Sequence, residues 1–399
     1  METLLLDVLY VILEKMADYN KISLLSVTKK FDSLKKYIIY NDEVDINKIR
    51  GLRYFHNFTN INTLNYDCIN LLTYPKKMSK MVVGDIRKDY VPPTVTHLTF
   101  GYSFNQKIKN CIPATVTHLT FGSNFNQEIN NCIPVRVTHL IFGYSFNQEI
   151  NNCIPARVTH LIFGYGFNQE INNCIPASVT HLTFGYSFNQ EINNCIPASV
   201  THLIFGHSFN QEIKNCIPAS VTHLTFGNCF NRKIKGYIPC SVTNLTLTHV
   251  HDNVEGCIPP SVTHLVFGIF NPGYIIYDIP SSVKYLTLER IISPILGYIP
   301  SSVTHLNIFH FNDIIYIRNC IPPTIRYLTV NFIDSYFTDC IPVGLIHLTI
   351  KYIFNYRYIK ECIPSTVTHL TIHNYNNNQD IRDYIPSTVI YLNISSNLE

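Results

Sequence analysis

Histidine and cysteine are the side chains best suited to nucleophilic attack and to holding transition metals, and in this chain both recur at fixed places. Ten of the thirteen cysteines stand directly before an Ile-Pro pair: Cys111, Cys132, Cys153, Cys174, Cys195, Cys216, Cys257, Cys320, Cys340 and Cys362. Eleven histidines stand directly before a leucine: His97, His118, His139, His160, His181, His202, His223, His264, His305, His347 and His369. A catalytic dyad needs one distinctive pocket, whereas these copies are equivalent. Zinc needs clustered ligands, and there is no C-x2-C or H-x3-H. A phosphate-cradling Gly-rich loop, G-x-S-x-G and H-E-x-x-H are absent as well. The residues therefore predict no enzyme activity, no metal and no cofactor. Tyrosine fills the cysteine slot at Tyr237, Tyr298 and Tyr384, so the slot is not obliged to form a bridge. Reduced, mostly buried thiols arranged in a column are expected.

The positioning elements are set by a proline that returns every 20–22 residues from Pro92 to Pro386, with a leucine always six places beyond it, Leu98 through Leu392. A short unit stacked in one direction gives that pattern. In the unit Ile112–Cys132, Val116, Leu119 and Phe121 fit the L-x-x-L-x-L frame. His118-Leu119-Thr120-Phe121 alternates as a strand, with Leu and Phe inward and His and Thr outward. Gly122 is expected to end the strand by taking a positive φ, and Phe125 and Ile129 anchor the return path. Pro113 fits a turn entering the strand, where its missing N–H costs no ladder bond. A return of about a dozen residues is too short for a long helix with two turns, so extended or 3₁₀ segments are expected there.

The pairs Phe104-Asn105 with Ile112-Pro113, and Phe125-Asn126 with Ile133-Pro134, continue to Phe354-Asn355 with Ile363-Pro364. In these the chain resembles the FNIP repeat proteins, short relatives of leucine-rich repeats. The fold expected is a mainly β repeat solenoid, leucine-rich-repeat-like and right-handed, with a parallel β-sheet on one face. Residues 89–399 would form it from about 15 repeats of 20–22 residues. Residues 46–88 read as a linker with degenerate capping repeats, Ile61-x-x-Leu64-x-Tyr66 and Met78-x-x-Met81-x-Val83.

Upstream the hydrophobic period becomes helical: Val8, Leu9, Ile12, Leu13 and Met16, then Leu24, Leu25, Phe31 and Leu34, with a polar break at Asp18–Lys21. So small a helical hairpin must rest on the solenoid or on a partner. Residues 1–45 resemble an F-box, the module that docks on the Skp subunit of cullin-RING ubiquitin ligases. Leu4-Leu5-Leu6-Asp7-Val8 stands where that family has Leu-Pro-x-Glu-Val, and Leu5 replaces its proline. Ile12-Leu13 matches the next apolar pair, and Val27-Thr28-Lys29-Lys30-Phe31 the ending. The resemblance implies an Skp-binding set of Leu4, Leu6, Val8, Leu9, Ile12, Leu13, Val27 and Phe31. F-box and FNIP segments together resemble proteins of amoebae and of giant viruses that infect them.

Each histidine sits beside an inward leucine and is expected on the concave face, with Asn244, Tyr285, Tyr327 and Tyr391 filling the gaps. That column is the candidate partner-binding surface, because solenoids commonly bind through their strand faces; the alternative is that a copied unit simply carries a tolerable solvated face. Neighbouring imidazolium charges would repel by about 1 kcal/mol in water. Glu128, Glu149, Glu170, Glu191 and Glu212 make a like-charged column on the return side, and the asparagines from Asn105 to Asn231 read as turn or ladder amides. A net charge of +3 with 14% charged residues argues against nucleic acid or an anionic membrane as partner. No apolar run reaches the ~18–20 residues of a spanning helix, and Glu2, Asp7 and Glu14 interrupt the N-terminal stretch, unlike a signal peptide. A cytoplasmic or nuclear protein is expected, in the host cell if viral. The implied function is an adaptor: the F-box would hold an Skp–cullin ligase core and the solenoid a protein to be ubiquitinated. The alternative is a binding scaffold without a ubiquitin role, its N-terminal helices only a cap.

Overall fold

The computed structural model describes residues 9, 11–64, 75–84, 91–249, 255–271, 278–311, 316–317, 319–333, 340–353, 362–373 and 382–395. The chain divides into two compact units, Met1–Val179 and Thr180–Glu399. Each is a leucine-rich-repeat-like parallel β-solenoid.

In the first unit the strands follow in chain order: β1 (Val44–Asp45), β2 (Asn60–Asn62), β3 (Lys80–Val83), β4 (His97–Phe100), β5 (His118–Thr120), β6 (His139–Ile141) and β7 (His160–Ile162). Every pairing is parallel. The register sets like on like, with His118 opposite His139 and Leu119 opposite Leu140. The proline offset explains this. Val116 N donates to Pro113 O at 3.1 Å and Val137 N to Pro134 O at 3.1 Å, so one identical turn aims each strand. Leu119, Leu140 and Leu161 then fall into one buried line, with Phe121, Phe125 and Ile129 behind them. Each such side chain removed from water contributes roughly 2 kcal/mol. Between β4 and β5 the chain runs through turns and extended backbone without a helical residue, as the short return path requires.

Glycine plays a different part from the one expected. Gly122 has no positive φ; that conformation falls on Asn110, Asn131, Asn152 and Asn173, just before the cysteine slot. In the second unit Asn194, Asn215 and Asn319 share the slot with Gly236, Gly256 and Gly297, the residues that bear a left-handed backbone at least cost. Gly122 is required instead by crowding, because a Cβ there would land on the carbonyl of Gly101.

The N-terminal segment opens with helical residues 11–14, then helices Asp18–Leu25 and Lys29–Asp32 and a 3₁₀ turn at Ser33–Tyr37. Its buried side is Leu13, Leu25, Ile38 and Tyr40. Tyr40 stacks on Phe58 at 4.7 Å. Asp18 and Asp42 exchange backbone-to-carboxylate hydrogen bonds of 2.7 and 2.6 Å. Lys21 Nζ donates to Asp18 Oδ1 at 2.7 Å, neutralising the pair in a buried setting. These contacts pin the segment beside β1. Of the two degenerate repeats, the one around Met81 keeps the expected frame, with Met81 opposite Leu98. The one before it is framed three residues earlier. Phe58, Ile61 and Thr63 are buried, whereas Leu64 is exposed; Tyr66 lies outside the described residues.

The second unit continues the plan with β8 (His181–Thr183), β9 (His202–Ile204), β10 (His223–Phe226), β11 (Asn244–Leu247), β12 (His264–Phe270), β13 (Tyr285–Ile291), β14 (His305–Phe311), β15 (Tyr327–Ile333), β16 (His347–Ile353), β17 (His369–Ile372) and β18 (Tyr391–Ile394). In β13–β16 the crowded glycine is replaced by Glu289, Phe309, Asn331 and Lys351, and the strands run on to seven residues. β12 also runs to seven residues although it keeps Gly268 at that position, and β11 and β17 stop at four with Thr248 and His373 there, so the glycine alone does not set the strand length.

Candidate protein-binding surface

Outward strand positions in each unit form a ladder of ring stacks. In the first unit His97–His118, His118–His139 and His139–His160 have centroids 4.0, 4.1 and 4.2 Å apart and nearly parallel planes. In the second, His181, His202 and His223 stack at 4.1 Å, and after Asn244 the column resumes as His264, Tyr285, His305, Tyr327, His347, His369 and Tyr391 at 4.1–4.4 Å. The parallel register produces this, because each strand repeats the same residue one spacing along. Where a threonine precedes the histidine it fixes the ring: Thr96, Thr117 and Thr138 hold Nδ1 of His97, His118 and His139 at 2.9 Å. Ring faces are occupied by neighbours, so this face presents ring edges and intervening residues such as Thr120 and Ile141.

The sequence expected these residues outward on one surface, and within each unit they are. A second column went unread. Tyr144 and Tyr165 stack at 4.4 Å, and Tyr186 and His207 at 4.2 Å, just past the strand ends. An aromatic recurring directly after the crowded glycine was the signal available.

The column histidines are half-buried, apart from His264, which is exposed. Desolvation, then neighbouring positive charge, holds His97 and His118 below the ordinary imidazole range; Lys80 and flanking histidines supply that charge. His264, His305 and His347 are lowered for the same two reasons, desolvation first. Unfolded histidines titrate near ~6.5 and the folded ones lower, so between those values the unfolded chain binds more protons. Stability is full above about pH 6.5 and falls as pH drops through the folded values. A His97→Asn/His118→Asn variant, carrying the residue that Asn244 places in the same slot, should lose less thermal midpoint between neutral and mildly acidic buffer. An equal loss in both proteins would mean the ladder does not titrate this way.

The return side is structural. Asn105 Oδ1 accepts from Asn126 N at 2.9 Å and from Gln127 Nε2 at 3.0 Å, and Asn126 repeats this toward Asn147 and Gln148. Cysteine thiols form the expected column. Cys153 Sγ donates to Asn130 Oδ1 at 2.9 Å and Cys174 Sγ to Asn151 Oδ1 at 3.1 Å. Burial raises the thiol pKa of Cys132, Cys153, Cys174, Cys216, Cys257 and Cys320. Among the described residues no three His, Cys, Asp or Glu side chains converge to hold a metal, and no helix is long and apolar enough to cross a membrane.

Of the proposed adaptor-docking set, Leu4, Leu6 and Val8 lie outside the described residues. Leu9 and Phe31 are half-buried and Leu13 is buried, while Ile12 is 48% and Val27 71% exposed. Val11, Tyr19 and Tyr37 on the same segment are also exposed.

The FNIP Repeat model matches residues 85–124, 125–166, 167–208, 209–249, 337–375 and 354–397. Among solved structures the chain is similar to CroV588, a giant-virus protein described as a novel circular LRR protein. The two share 33% identity at a TM-score of 0.57, over 85% of this chain and 53% of that one. This chain thus spans about half the length of that relative. It is also similar to YopM from Yersinia enterocolitica, at 15% identity and TM-score 0.37, covering 85% of this chain and 64% of that one. A third similarity is to an internalin, InlF of Listeria monocytogenes, at 14% identity and TM-score 0.35, over 66% and 82% of the two chains. No curated protein matches.

Proposed function

The chain belongs to the FNIP-repeat family, and from that premise we propose that it is a non-catalytic adaptor, the substrate-recognition subunit of an Skp–cullin ubiquitin ligase. Repeat solenoids of this kind typically bind proteins without catalysis. Residues 1–45 dock the Skp-type subunit and the solenoid of residues 89–399 holds the protein target on its His/Tyr strand face. Chemistry is left to the bound conjugating enzyme, and this chain contributes a raised local concentration of target lysines. It would act in the cytoplasm or nucleus, of the host cell if the protein is viral.

The observation that carries the reading is the division of the N-terminal segment. Leu13 and Leu25 are buried, while Ile12 and Val27 point to solvent, where a monomeric fold gains nothing from them. The buried side favours a second role as solenoid cap, and the two roles use different residues. The test therefore spares the cap. The full chain should retain an Skp–cullin assembly in affinity capture, and an Ile12→Asp/Val27→Asp variant with unchanged thermal midpoint should lose most of it. Equal retention by both, or none by the wild type, would leave only the scaffold reading.

A further inference from the structure

Two residues in adjacent turns of the second unit depart together from the repeated pattern. After the crowded glycine, successive turns carry Tyr144, Tyr165 and Tyr186, and then His207. One place further they carry Ser145, Gly166, Ser187 and Ser208, and then Cys229. The register turns these substitutions into a pair. Cys229 N donates to His207 O at 2.9 Å, and Cys229 Sγ lies 3.4 Å from His207 Nδ1. His207 is held flat by its stack on Tyr186. Cys229 is exposed, whereas Cys153, Cys174 and Cys216 are buried and spend their S–H on asparagine and backbone oxygens. Burial also raises their pKa, which keeps the nucleophilic thiolate scarce. Cys240 is exposed too, and among the described residues it forms no hydrogen bond with a histidine.

We propose that Cys229, assisted by His207, is a reactive thiol that forms a reversible mixed disulfide with small disulfides of the glutathione class. Nδ1 of His207 takes the thiol proton, and the Cys229 thiolate attacks one sulfur of the disulfide. The new Sγ–S bond forms as the old S–S bond breaks, and the departing thiolate takes the proton from the imidazolium. No external oxidant is consumed beyond the disulfide itself, and an incoming thiol reverses the exchange. The adduct would place carboxylates beside the aromatic column at Tyr186, changing what that edge of the strand face can bind.

The repeat supplies variants already tolerated at both places. Treating the full chain with oxidised glutathione and mapping peptides by mass spectrometry over time should show Cys229 modified on the order of tenfold faster than Cys240. His207→Tyr, which keeps the stack on Tyr186, should bring Cys229 to the rate of Cys240 without moving the thermal midpoint. Cys229→Ser should abolish that adduct and leave the others unchanged. Equal rates at Cys229 and Cys240 in the wild type, or an unchanged Cys229 rate in His207→Tyr, would overturn the proposal.

Discussion

Gly143→Ala, the addition of a single methyl group, is expected to destabilise the first unit by about 3 kcal/mol or more. A Cβ at this position would overlap the carbonyl of Gly122 and lie 2.9 Å from Phe121 O. Both obstacles are backbone, so no rotamer change clears them. Displacing the turn is no easier, because Gly164 is crowded against the carbonyl of Gly143 in the same way. The inserted methyl must therefore pry two turns apart and lengthen hydrogen bonds between their strands. Gly51→Ala is the control, since no atom lies within 4 Å of its added Cβ; it should change stability by no more than about 1 kcal/mol. Urea unfolding followed by circular dichroism measures both. A Gly143→Ala protein as stable as the Gly51→Ala protein would mean the turns are not packed backbone to backbone.

Phe146→Ala should cost about 3–5 kcal/mol by the same measurement. The ring is fully buried, 4.0 Å from Phe142 in its own turn and 6.1 Å from both Phe125 and Phe167 in the turns on either side. Its removal leaves a cavity whose walls are other phenylalanines locked in the same column, so little collapse can refill it. His118→Asn, by contrast, alters an outward ring and should stay within about 1 kcal/mol. Comparable losses from the two substitutions would contradict the inward and outward assignment of the strand.

Much of this architecture was legible in the sequence because spacing alone carries it. Within each unit the leucine six places after each proline has to fall into a buried line once the turns stack, and the histidines and tyrosines of the column have to face outward beside it. Spacing says nothing of how closely two backbones approach, and the glycine was misread for that reason. Its need for no Cβ arises between Gly101 and Gly122, a full turn apart, while the left-handed backbone sits on Asn131, a residue that also suits an ordinary loop. The frame around Ile61 was misjudged because Leu64 looks like an anchor, and only the pairing of Ile61 with Met81 reveals which residue enters the core. The stacked tyrosines were visible as a repeated aromatic, yet their position past the strand gave no inward or outward cue. Pairing of Cys229 with His207 depends on parallel register between two turns and appears once that register is known.

Like-on-like register also creates a hazard while the chain is folding. Between Pro113 and Pro176 the units are all 21 residues long and nearly the same in sequence. A strand that docks one unit too far along would still find leucine opposite leucine and phenylalanine against phenylalanine, extruding the skipped 21 residues as a loop. Because the cost of closing that loop grows only slowly with its length, the wrong count of turns is separated from the right one by few distinguishing contacts. What marks the correct count is the asymmetric start, where the Asp18–Asp42 exchange and the Tyr40–Phe58 stack occur once. Growth seeded at that end and propagated turn by turn avoids the miscounted traps that simultaneous nucleation along the uniform stretch would populate.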